Sequence, residues 1–117
     1  MHGGEDLFQG LLKTMWYLPL SFMTDSQSKP TWIPLIIQRS RNAPGALAHH
    51  TAIEYCNFAY FIGGVTSDGS SNKEMFRFDI PNKKWVDFPI MSSITPGRRD
   101  DHTCVLAEDK MLLFGGF

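Results

Sequence analysis

Apolar residues along this chain gather in short runs of strand length, each broken off by turn-forming residues. Phe58 to Ile62 is apolar without interruption, the pattern of a strand covered on both faces. Met75-Phe76-Arg77-Phe78 alternates toward its end, as an outer strand with one wetter face does. Gly63-Gly64 and Gly115-Gly116 close two of the runs, where a side chain would hinder positive φ or the close approach of a neighbouring backbone. Asn57 and Asp109 fall between paired runs, positions that favour short side chains able to bond their own backbone in a hairpin turn. The pattern predicts first strands over 48–55 and 99–107, second strands over 58–63 and 110–115, third strands over 13–18 and 73–79, and fourth strands over 31–37 and 84–88.

These runs repeat. His50 to Gly64 (HTAIEYCNFAYFIGG) and His102 to Gly116 (HTCVLAEDKMLLFGG) match at an offset of 52 with no gap, and Pro44-Gly45 recurs as Pro96-Gly97 at the same offset. Ala52 and Ile53 match Cys104 and Val105, and Ala59 to Ile62 match Met111 to Phe114. Toward the N-terminus the offset is 60: Gly3-Gly4 lies over Gly63-Gly64, and Lys13 to Leu18 over Lys73 to Phe78. Trp32 then stands 53 residues before Trp85, so the extra length falls in a connection between Pro19 and Pro30.

A period of about 50 residues is that of kelch-type propeller blades, and the motifs resemble that family. A His-containing first strand, a Gly-Gly closing the second, an Asp ending the third and a Trp opening the fourth read here as His50, Gly63-Gly64, Asp79 and Trp85. The next unit supplies Arg99, His102 and Gly115-Gly116, whereas Leu47 stands in the Arg position of the earlier unit and Asp25 is the candidate counterpart of Asp79. The resemblance implies an all-β fold of four-stranded antiparallel blades. Residues 1–47 would be the outer half of one blade, 48–98 a complete blade, and 99–117 the inner half of a third. A propeller takes about 4 to 8 blades. The expectation is therefore a segment of a longer propeller, or copies closing a ring head to tail with 110–115 of one against 13–18 of the next, in which three chains would make about six blades.

Composition narrows the function. A formal net charge of −1 leaves no basic footprint for nucleic acid. The apolar stretch Leu11 to Met23 contains Lys13 and Pro19 and is too short to span a bilayer, and Glu5 and Asp6 stand where a signal peptide carries positive charge. Two cysteines and no Asn-x-Ser/Thr sequon point to an intracellular, cytoplasmic setting. Cys104 aligns with Ala52 but Cys56 with Glu108, so the two occupy non-equivalent sites and free thiols are expected.

Candidate chemistry is sparse. His49-His50 could suggest a metal pair, but adjacent strand residues point to opposite faces, and the recurrence of His50 as His102 favours a repeated hydrogen bond to a neighbouring turn. Tyr55-Cys56 lacks the further Tyr and His ligands of copper-radical oxidases, and Asp100-Asp101-His102 sits where a loop enters a strand. No catalytic residue, metal or cofactor is expected. The family resemblance implies instead that protein partners dock on the loops 5–12, 38–47, 65–72 and 89–101, whose candidate contacts are Arg39, Arg41, Asp68, Ser70, Ser71 and Arg98. The expected function is a kelch-repeat interaction module of scaffold or adaptor type. The alternative is a fragment of a galactose-oxidase-like or other metal-dependent kelch enzyme whose ligands lie in other blades.

Overall fold

A computed structural model describes residues 1–21, 29–89 and 92–117, so the expected counterpart at Asp25 lies outside the described residues. The fold is all-β, with no α-helix among the described residues and every strand pairing antiparallel.

Its centre is a four-stranded sheet formed by β6 (Thr51–Tyr55), β7 (Phe58–Ile62), β9 (Met75–Asp79) and β10 (Lys84–Val86), hydrogen-bonded in that order. Cys56 and Asn57 join β6 to β7 with φ of 51° and 66°, a two-residue turn with both central residues left-handed, whose twist matches that of the strands. Asp79 fixes the β9–β10 turn by accepting from the Asn82 amide at 3.1 Å and from its side chain at 2.8 Å. Two further pairs flank this sheet: β3 (Met15–Tyr17) with β4 (Ile33–Leu35), and β11 (Thr103–Ala107) with β12 (Lys110–Phe114).

The expected third and fourth strands are shorter than the sequence pattern predicts, at Met15–Tyr17, Met75–Asp79, Ile33–Leu35 and Lys84–Val86, and two further features depart from the expected plan. The first strands begin at Thr51 and Thr103 rather than at 48 and 99, because His49 and Asp101 adopt φ of 57° and 53°, which breaks the extended run at equivalent places. Short ladders also form in the expected loops and, at Ala48, at the expected start of a first strand. β1 (Glu5–Asp6) pairs with β2 (Gly10–Leu11), and β5 (Leu47–Ala48) pairs with β8 (Val65–Thr66).

One face of the central sheet carries Phe61, Phe78 and Trp85, which pack against Met15, Leu35 and Ile37 of the β3–β4 side. The Trp85 ring lies 5.3 Å from Phe61 and 5.1 Å from Phe78 between centroids, in tilted and edge-on geometry. The other face carries Phe58, Tyr60 and Phe88, with the Arg77 guanidinium 4.8 Å and 5.2 Å from the Phe58 and Phe88 rings. Arg77 also donates to the Asp87 carbonyl at 2.9 Å, so the basic residue of β9 is tied down over aromatic rings rather than free in water. Leu106 and Met111 of the β11–β12 pair reach the Ile53 and Tyr60 side of the sheet, while Val105, Leu112 and Phe114 point away and are 50%, 53% and 84% exposed.

Candidate functional site

Successive units join through a histidine and two glycines. The Gly64 amide donates to the Arg99 carbonyl at 2.9 Å, and at the equivalent place the Gly4 amide donates to the Leu47 carbonyl at 2.8 Å. The His102 ring fills the space beside Gly63, where an added Cβ would collide with the imidazole and stand 2.5 Å from the Arg99 carbonyl oxygen. His50 fills the same space beside Gly3, whose added Cβ would lie 3.0 Å from the imidazole. On the other side each histidine meets the second glycine of its own unit: a Cβ on Gly64 or Gly116 would stand 2.9 Å from Cβ of His50 or His102.

Across units, His102 Nε2 lies 2.7 Å from Thr51 Oγ1, and the His50 ring stands edge-on to His2 at 5.9 Å between centroids. Burial lowers the pKa of His50 and His102, so they stand neutral. His2, buried edge-on against Phe61 and Trp85, is lowered to about 4, chiefly by desolvation.

Leu47 shows why this position tolerates different side chains. The contact to the glycine runs through the carbonyl, which any residue supplies, and Leu47 is fully buried instead. Arg99 adds side-chain bonds to the carbonyls of Gly115, at 2.9 Å, and Pro96.

Antiparallel topology brings the loops 5–12, 38–47, 65–72 and 92–101 to one end of the sheets, and part of the expected contact set meets there. Asp68 accepts from Thr66 Oγ1 at 2.6 Å and from the Ser70 hydroxyl and amide at 2.7 Å and 2.9 Å. These bonds, Thr66 first, hold its carboxyl well below the usual range. Ser71 Oγ donates to Asp100 Oδ1 at 2.6 Å, and Arg98 Nη1 donates to the Ser71 carbonyl at 2.8 Å. Asp68, Ser70, Ser71 and Arg98 thus form one rim. Arg41 stands apart in a 180 Å³ cleft with Glu74, Asp87 and Phe88, and Arg39 is exposed on the same 38–47 loop.

The rim includes a group absent from the expected set. His49 Nδ1 lies 2.8 Å from Asp101 Oδ1 and its Nε2 3.5 Å from Glu5 Oε2, so carboxylates on two other loops raise its pKa, the Asp101 bond foremost. His49 and Asp101 are 52 residues apart, so they occupy equivalent positions of consecutive units. Among the described residues no group of three or more His, Cys, Asp or Glu is placed to hold a metal ion. Cys56 is an exposed free thiol, and Cys104 a half-buried one whose pKa burial raises. No helix among the described residues is long and apolar enough to cross a membrane.

No family model matches the chain. Over 82 residues, 69% of its length, the chain is 30% identical to the Caenorhabditis elegans protein tag-53. It spans 6% of that relative's length.

Proposed function

We propose that this chain is a segment of a kelch-type β-propeller that serves as a protein-interaction module, non-catalytic, with 48–98 a complete blade between the outer half of one blade and the inner half of another. The observation that carries the reading is the contact made twice. Gly4 to Leu47 and Gly64 to Arg99 are bonded alike, with His50 and His102 seated alike, at the offsets where the sequence repeats. A stacked array of sheets requires such a joint between neighbours and displays its loops at one end.

The rim supplies the binding chemistry. Arg98 is exposed and gives one nitrogen to the Ser71 carbonyl, which anchors a guanidinium, the side chain best suited to forked contact with a carboxylate. Asp68 and Ser70 are fixed beside it by their mutual bonds, so the rim meets a polar or acidic peptide with little ordering left to do. Two free, non-equivalent thiols suit a cytoplasmic setting.

An array of acidic peptides, probed with the chain and with Arg98→Ala, tests this. Binding should fall at least about tenfold, the loss of one charge-assisted contact of about 1.5–3 kcal/mol. Lys83→Ala, at the opposite end of the sheet, should bind as the parent does. Peptide binding that survives Arg98→Ala but is lost in Lys83→Ala would place recognition at the other end and refute the rim.

A further inference from the structure

At the loop end of the sheets the β1–β2 hairpin carries two large apolar side chains on its tip, Leu7 and Phe8, 96% and 97% exposed. The turn that presents them is ordered. Asp6 and Gly10 pair across its base, and Asp6 Oδ1 accepts from the amides of Phe8 and Gln9, each at 2.8 Å. A partner meeting this tip meets a fixed shape, with little of the ordering cost of a free loop.

The fold does not require these residues. At the offset of 60, Leu7 and Phe8 correspond to Ser67 and Asp68, and Asp6 and Gly10 to Thr66 and Ser70. The Thr66 amide donates to the Ser70 carbonyl at 3.0 Å, so the next unit closes the same short hairpin with a polar tip. That unit has a neighbour on each side, and Ser67 and Asp68 are still exposed. A blade set beside the first unit would therefore leave Leu7 and Phe8 in water as well. Apolar side chains of this size, held out on an ordered loop that a neighbouring unit builds without them, mark a contact surface.

Charge fixes the chemistry of the occupant. Residues 1–12 contain Glu5 and Asp6 and no Lys or Arg. Glu5 Oε2 stands 3.5 Å from His49 Nε2, whose other nitrogen lies 2.8 Å from Asp101 Oδ1, so Glu5 and Asp101, both about half exposed, gather at the foot of the hairpin. We infer that Leu7 and Phe8 anchor a basic, amphipathic segment of a protein partner, whose apolar side chains close over the tip while its Lys or Arg side chains face Glu5 and Asp101. A bilayer is the poorer match, since the hairpin would bring carboxylates and no Lys or Arg toward the lipid phosphates. The inference rests on the reading of this chain as an interaction module, but it does not use Arg98.

The test is an array of short peptides, each with a pair of Leu, Phe or Trp residues between lysines, beside a twin array with Glu in place of Lys. It is probed with the parent chain, with Arg98→Ala, and with Leu7→Ser plus Phe8→Asp, which copies the tip of the next unit. Lysine peptides should bind the parent at least about tenfold more tightly than their glutamate twins, and the double variant should lose at least about tenfold. Its circular dichroism should match the parent's, because both replaced side chains are exposed; should its β spectrum be lost, Phe8→Ala alone carries the same test. Arg98→Ala should keep lysine-peptide binding. No binding of the lysine array, equal binding by parent and double variant, no preference over the glutamate twins, or loss in Arg98→Ala overturns the inference. So does binding to phosphatidylcholine or phosphatidylserine vesicles that the double variant loses while no lysine peptide binds. If the inference fails while acidic peptides still bind the parent through Arg98, the rim reading stands; if acidic peptides bind neither chain, the rim reading fails by itself.

Discussion

Replacing Gly63 with alanine isolates the joint between units, and the chain carries its own control. Gly63 has φ of 70° and Gly115, its counterpart one unit on, φ of 75°, so alanine suffers the same backbone strain at both, about 1–2 kcal/mol for an L residue. The surroundings differ. A Cβ on Gly63 would collide with the His102 ring and stand 2.5 Å from the Arg99 carbonyl, whereas a Cβ on Gly115 meets nothing within 4 Å. Forcing a methyl into such a contact costs about 1–3 kcal/mol more. Any gain from a stiffer unfolded chain is common to the two variants and cancels in the comparison. Gly63→Ala should therefore lose about 2–5 kcal/mol and Gly115→Ala about 1–2. Urea unfolding at pH 7, followed by circular dichroism, should separate their midpoints by roughly 1 M at an m-value of about 2 kcal/mol/M. Equal midpoints would refute the close approach of His102 to Gly63.

Two further outcomes follow from the same contacts. The lowered pKa values of His2, His50 and His102 mean that the unfolded chain takes up protons first, so the stability they confer is present above about pH 6.5 and is lost as pH falls. His2 alone, moved from 6.5 to about 4, accounts for about 3 kcal/mol of that loss; urea midpoints at pH 7, 5.5 and 4 should drop steadily, and a flat series would contradict the burial of these rings. The exposed His49, raised by Asp101, works in the opposite sense and weakly. Trp85→Ala should cost about 3–5 kcal/mol, whereas Trp32→Ala should cost much less because Trp32 is 51% exposed and Trp85 6%; similar thermal shifts for the two would place the core elsewhere.

Trp32 and Trp85 also show how far the sequence could be read. Both stand at the same place in the repeat, and the pattern treats them alike, but only Trp85 has a sheet on each side. Burial depends on which neighbours are present, and a repeat offset is blind to that. The strands themselves were legible: Phe58 to Ile62 is an apolar run and becomes an inner strand at most half exposed along its length. The early end of the first strands was less so, because the left-handed turns at His49 and Asp101 occupy residues that carry no glycine to announce them. The β5–β8 ladder was hidden for a related reason, since Leu47 sits in a segment of Pro, Gly and Ala that reads as a loop, and only the tertiary pairing with Thr66 buries it. At the rim, Asp68, Ser70, Ser71 and Arg98 come together as neighbouring loops of one sheet end must. Arg39 and Arg41 share that end but not the cluster, because loop membership fixes an end of the sheet and not a position on it.

The most direct test of the repeated joint is a nuclear Overhauser measurement on the labelled chain, reading the Gly3 α-protons against the His50 ring and the Gly63 α-protons against the His102 ring. Cross-peaks at both sites would establish the same glycine–histidine contact in consecutive units. A cross-peak at one site without the other, or at neither, would contradict the account.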